Sequence, residues 1–148
     1  RLTAATLPEV TTELEQKAKG RMAMLELGDM DSVVNSEMLV LVINDPGAAD
    51  IMNMNRTALN AFSALITKYK SMGICVLVSN VPNASFISSE FYKKCAENRQ
   101  FLWFDNLPAL KLVAVPYTVS KKFSKKLVPG DAYLFNDTEC TKLKTPLA

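Results

Sequence analysis

Two short apolar runs, Met38–Ile43 and Ile74–Val78, constrain this chain more than anything else in it. Each is continuous and aliphatic instead of alternating with polar residues, the pattern of a strand covered on both faces. Between them, from about Arg56 to Lys70, Ala58, Leu59, Phe62, Leu65, Ile66 and Tyr69 recur at helical spacing as one apolar stripe. Strand, amphipathic helix and strand in succession build parallel sheets. The expected fold class is therefore α/β: a layered domain with a largely parallel or mixed sheet of about four or five strands flanked by helices. At 148 residues, 49% of them hydrophobic, the chain has material for one core. A single domain over residues 1–148 is expected, with 1–50 an N-terminal extension and 136–148 an irregular tail.

Local signals fill in the remaining elements. Leu7 to Lys19 reads as a helix with Thr6 as its cap, Pro8 in its first turn and Gly20 as its stop. Arg21–Leu27 then reads as a loose strand, and Gly28-Asp29 opens a polar turn. Asn44-Asp45-Pro46-Gly47 ends the first apolar run with turn chemistry. Gly73 marks the exit of the central helix. After an Asn80–Asn83 loop, Ile87 to Asn98 resumes the helical period, with Ser85 or Ser88 as cap. Phe101–Phe104 reads as an aromatic strand. Asp105 or Asn106 then caps a helix that carries Pro108 and runs to about Ala114. From Thr118 a short helix puts Val119, Phe123 and Leu127 on one face and Lys121, Lys122, Lys125 and Lys126 on the other. Pro129-Gly130 breaks it before a last strand, Ala132–Phe135.

Chemistry is bounded by an absence: the chain has no histidine. Ser/His and Cys/His nucleophile pairs and histidine-bearing metal sites are thereby excluded. Cys75, Cys95 and Cys140 are odd in number, widely spaced and without a CxxC pair, which points to reduced thiols, and Cys75 in an apolar run and Cys95 on the apolar side of a helix read as buried small hydrophobes. No P-loop, GxGxxG or GxSxG pattern occurs, and five glycines leave little material for a phosphate cradle. Asp29, Asp31 and Glu37 lie near a strand as in metal-dependent nucleases, but no lysine stands where that chemistry needs one. No cofactor, metal or small-molecule substrate is expected. The longest apolar run falls far short of the roughly 20 residues of a membrane span, so no membrane insertion is expected. No segment has the layout of a secretory signal. The chain opens on Arg1, which fits removal of an organellar transit peptide and equally an engineered start.

Charge is uneven. Residues 1–50 hold nine acidic and four basic residues; residues 51–148 hold six acidic and thirteen basic. The candidate polyanion contact is Lys121, Lys122, Lys125 and Lys126, with Lys111, because ammonium groups on one face act additively on phosphates. Phe101, Trp103 and Phe104 are candidate base-stacking residues, with core packing as the competing reading.

Two family resemblances extend these readings. Ile74–Val78, then Phe86 to Asn98, Phe101-Leu102-Trp103-Phe104-Asp105-Asn106 leading to Leu110, Tyr117 to Leu127 and Gly130–Asn136 follow one order. That order resembles the ribosomal stalk-base protein family (large-subunit protein ten, mitochondrial type) over roughly residues 57–139. Residues 1–50 and that family's long C-terminal helix have no match. This resemblance implies a mitochondrial matrix protein, or otherwise a cytoplasmic one, that contacts rRNA and neighbouring protein subunits. Leu41–Ile43 followed by Asn44-Asp45-Pro46-Gly47-Ala48-Ala49-Asp50, with Phe86 36 residues after Asp50, resembles the opening of the crotonase (enoyl-CoA hydratase) fold. That family's oxyanion hole needs a later Gly-rich helix start, and only Gly130 follows Phe86. The second resemblance thus implies an inactive, accessory structural subunit of a mitochondrial complex. Both imply a non-catalytic structural or binding subunit of a large assembly.

Overall fold

The computed structural model describes residues 3–123, 127–137 and 139–144. The chain divides into two compact units, one of residues 1–81 with 89–91 and the other of residues 82–88 with 92–148. The fold is α/β, but the five strands of the described residues form two sheets instead of one.

The first unit begins with α1 (Leu7–Glu26), preceded by a 3-10 turn at Ala4–Thr6. Gly20 does not stop this helix, and the strand expected at Arg21–Leu27 is its last two turns. A mid-helix glycine costs only about 1 kcal/mol relative to alanine. Here the turns beyond it are tied down by Arg21, which donates to Met72 O at 2.7 Å and to Glu37 O at 2.6 Å. The stop is Gly28, at φ 84°. Gly28 N–H bonds to Leu25 O and Asp29 N–H to Met24 O, the paired bonds of a left-handed helix cap. Asp29 then caps α2 (Met30–Val34), accepting from Ser32 N.

The two apolar runs become β1 (Leu39–Ile43) and β2 (Ile74–Val78), which pair in parallel from Leu39↔Ile74 to Ile43↔Val78. Between them lie α3 (Ala48–Met54), which the periodicity did not reveal, and α4 (Arg56–Ile66). Asn55 caps α4 by accepting from Ala58 N. The predicted stripe is real: Ala58, Leu59, Phe62 and Leu65 are buried on α4, with Tyr69 just beyond it. Ala18 of α1, Leu65, Tyr69, Met72 and Ile74 form one buried cluster against one face of the sheet. Burial on both faces does not hold, since Val40, Val42, Cys75 and Leu77 are exposed on the other face. Asn53 closes the unit by accepting from Phe91 N and donating to Ser89 Oγ, and Phe91 packs on Phe62 at 4.8 Å between ring centroids.

The second unit is an antiparallel sheet in the order β3 (Gln100–Trp103), β4 (Asp131–Asn136), β5 (Glu139–Lys144). The tail expected to be irregular thus supplies an edge strand. Asp137 turns it at φ 55°, with its N–H on Arg99 O. Helix α5 (Glu90–Glu97) leads into β3. The helix expected up to Ala114 is only a 3-10 turn, Leu107–Ala109. Asn83 diverts the backbone there: its amide donates to Ala109 O, and its carbonyl accepts from Lys111 N and Leu112 N. Helix α6 (Tyr117–Lys122) follows. Val119, Phe123 and Leu127 pack on a core of Leu107, Leu110, Tyr133 and Phe135, as their spacing predicts.

Candidate functional site: the carboxyl ends of the parallel strands

Open α/β sheets bind ligands beyond the carboxyl ends of their strands, where side chains from successive loops converge. In this chain both parallel strands run into polar residues at that end: Asn44-Asp45 after β1 and Ser79-Asn80 after β2. Ser79 N–H extends the ladder by one bond to Ile43 O, which sets the two loops side by side. Asn44 Oδ1 then accepts from both Ser79 Oγ and Asn80 Nδ2, the latter at 2.9 Å. Asn80 reaches it from a left-handed backbone, φ 59°, which asparagine tolerates better than most residues.

Asp45 carries the carboxylate of this cluster, and one of its oxygens is engaged locally. Oδ1 accepts from Gly47 N at 2.8 Å, and Asp45 O accepts from Ala48 N, so the side chain shapes the turn into α3. A Cβ on Gly47 would come within 3.3 Å of that oxygen, a tight contact. All four polar residues are exposed. Two amides, a hydroxyl and a carboxylate can hold a polar ligand by hydrogen bonds.

The lysines singled out from the sequence lie in the second unit. Lys111 is exposed, its backbone N–H held by Asn83 at 2.6 Å. Lys121 and Lys122 are exposed in the last turn of α6, and Lys122 Nζ lies 5.2 Å from the Phe123 ring centroid. Lys125 and Lys126 lie outside the described residues. Of the candidate stacking residues, Phe101 stacks on Phe135 at 4.6 Å and Trp103 donates to Asn106 O, both as core residues, while Phe104 is exposed. Asp29 and Asp31 belong to α2 and its cap, and no group of three or more acidic or cysteine side chains able to hold a metal occurs among the described residues. Of the two thiols expected to be buried, Cys75 is exposed and Cys95 half-buried; Cys140 is half-buried as well. Burial pushes the Cys95 thiol up to about 12 and also raises that of Cys140.

Sequence reasoning missed Asp131. This carboxylate is buried at the start of β4, 2.7 Å from Lys142 Nζ and 2.5 Å from Lys144 Nζ on β5, and it accepts from Val128 N. The two lysines hold its carboxyl well below the ordinary range. The arrangement ties the start of β4 to β5 and to the turn before it. Alternating Cys140, Lys142 and Lys144 was the signal for it, obscured by reading the tail as irregular.

No protein-family model and no curated protein matches this chain. Among solved structures it is similar to EssC (ATPases 2 and 3) from Geobacillus thermodenitrificans, with a TM-score of 0.52 and 15% sequence identity. The match covers 90% of this chain and 25% of that one, so the chain spans about a quarter of the EssC length. At that identity the likeness is one of fold.

Proposed function

We propose that this chain is a non-catalytic binding and structural module of a larger protein assembly, with an α/β fold akin to part of the EssC ATPase chain. One observation carries the reading. At the strand ends, Asn44 accepts from Ser79 and Asn80, and Asp45 accepts from Gly47 N, so the exposed polar groups there are amides, a hydroxyl and one carboxylate. Nucleotide hydrolysis needs a phosphate-cradling loop with a lysine, a metal-binding carboxylate and an oriented water. These 148 residues contain no such loop. The module therefore works through its surfaces.

The test is nucleotide turnover together with native companionship. The purified chain, given Mg-ATP or Mg-GTP, is expected to release no phosphate above a protein-free blank. The native protein is expected to migrate with other polypeptides on a non-denaturing gel. Mg-dependent phosphate release that disappears in Asp45→Asn, which keeps the turn acceptor and removes the charge, overturns the proposal.

A second reading, polyanion contact by the second unit, draws on the exposure of Lys111, Lys121 and Lys122. Its rRNA form follows from the stalk-base resemblance and is tested by salt dependence, below.

A further inference from the structure

Asp131 is met by two lysines where one would neutralise it. The ladder sets Asp131 opposite Lys144 and Tyr133 opposite Lys142, so both ammonium groups reach the carboxylate from alternate positions of β5, at 2.5 and 2.7 Å. The carboxylate is buried, with 1% of its side chain exposed, whereas Lys142 and Lys144 keep 40% and 75% of theirs in solvent. One positive charge is left over, and each ammonium carries three donors of which Asp131 takes one. More positive charge lies alongside. Lys122 Nζ stands 5.2 Å from the Phe123 ring centroid, that ring lies 5.4 Å from the Tyr133 ring, and Tyr133 OH donates to Phe123 O. The end of α6 therefore lies over Tyr133 and brings Lys122 to the side of the sheet that carries Lys142 and Lys144. Among the described residues, Asp131 is the only acid that the three strands place on this face.

The cations sit on a sheet edge. Among the described residues β5 pairs only with β4, so one row of its main-chain N–H and C=O groups has no strand beside it. Lysines on an edge strand repel a like edge and so discourage pairing with a second copy. The same charges admit a strand of opposite sign. We propose that the free edge of β5 is the docking site for an acidic segment of another protein, which adds as a further strand and sets carboxylates beside Lys142, Lys144 and Lys122. A strand paired on β5 turns alternate side chains to each face, so acidic residues two apart meet Lys142 and Lys144. Charge selects an acidic partner, and the ladder selects a peptide. Nucleic-acid phosphates would answer the lysines but offer no N–H to the carbonyls of the edge. The proposal rests on the reading of this chain as a binding module and names one of its surfaces and the chemistry that fits it.

The probe is a fluorescein-labelled peptide of about six residues in which Glu and Thr alternate, titrated with the 148-residue chain and read by fluorescence anisotropy. It is expected to bind about tenfold more tightly than its Gln/Thr counterpart, and the gap should narrow as salt is added. Full N-methylation of the peptide main chain keeps the carboxylates, removes the ladder donors and should abolish binding. Lys144→Gln should weaken binding about threefold. Lys122→Gln should do the same while leaving Asp131 its two lysines, so a hairpin loosened in the first variant does not decide the result. Equal affinity for the Glu and Gln peptides overturns the proposal, as does undiminished binding of the N-methylated peptide or an affinity that neither lysine variant changes. Tighter binding of an oligouridylate of equal charge also overturns it, in favour of polyanion contact. Phosphate release from Mg-ATP would strike the module reading instead, whereas a peptide that fails to bind strikes this edge and leaves that reading in place.

Discussion

Replacing Arg21 with alanine is expected to destabilise the first unit by about 2 kcal/mol. Its guanidinium donates to two main-chain carbonyls, Met72 O just before β2 and Glu37 O just before β1. A hydrogen bond from a charged donor contributes about 1.5–3 kcal/mol when sheltered, and a typical exposed one about 0.5 kcal/mol. The Met72 bond is partly buried and the Glu37 bond exposed, so the low end of the first range plus the second gives the figure. With a urea m-value of roughly 1–3 kcal/mol/M, the midpoint should fall by about 1 M. Arg21→Lys should recover about half, because a single ammonium lacks the fork that reaches two carbonyls. Gly73→Ala should weaken the same clamp from the other side: its Cβ would lie 2.7 Å from Arg21 Nη1, on a backbone at φ 69°. The Arg21→Ala, Gly73→Ala double variant should therefore lose less than the sum of the singles. Urea denaturation followed by far-UV circular dichroism decides it. A midpoint shift below about 0.3 M for Arg21→Ala, or full recovery by lysine, refutes the reasoning.

Three further outcomes are expected. Lys142 and Lys144 lower the Asp131 carboxyl, so its stabilising contribution is complete above the ordinary carboxylate value of about 3.9 and is lost as pH falls toward the depressed folded value. An acid titration of circular dichroism should thus show Asp131→Asn with a flatter dependence below about pH 4 than the parent chain. Asn83→Ala removes three hydrogen bonds to Ala109, Lys111 and Leu112 and should cost about 1–3 kcal/mol, read as a lower melting temperature and faster proteolysis near residue 110. If the second unit grips a polyanion, Lys121→Ala with Lys122→Ala should lower the slope of log affinity against log salt by about 1–2 on an rRNA fragment; an unchanged slope removes that reading.

Much of the fold is legible in the residues because its signals are local. The stripe on α4, the aliphatic runs of β1 and β2 and the Val119–Phe123–Leu127 face need only a few neighbouring positions to be read. The errors share one cause, a partner distant in sequence. Gly20 looks like a stop until Arg21 is seen to bond a residue 51 positions away. Residues after Asn106 look helical until Asn83 takes the main-chain groups of Ala109, Lys111 and Leu112. The tail looks patternless until Lys142 and Lys144 meet a buried Asp131 across the hairpin. The polar cluster was half visible: the Asn44-Asp45 turn stood out, but its bonds to Ser79 and Asn80 come from residues 35 and 36 positions on.

Composition and periodicity by themselves determined that this is an α/β protein with an aliphatic parallel pair and no histidine chemistry, since apolar spacing decides which faces leave water. The tertiary structure alone decided that the strands divide into two sheets, that Asp131 is a buried anchor and that one apolar face remains open. Each of these depends on which distant groups meet, and a one-dimensional pattern records the appetite of a surface for burial without naming what will cover it.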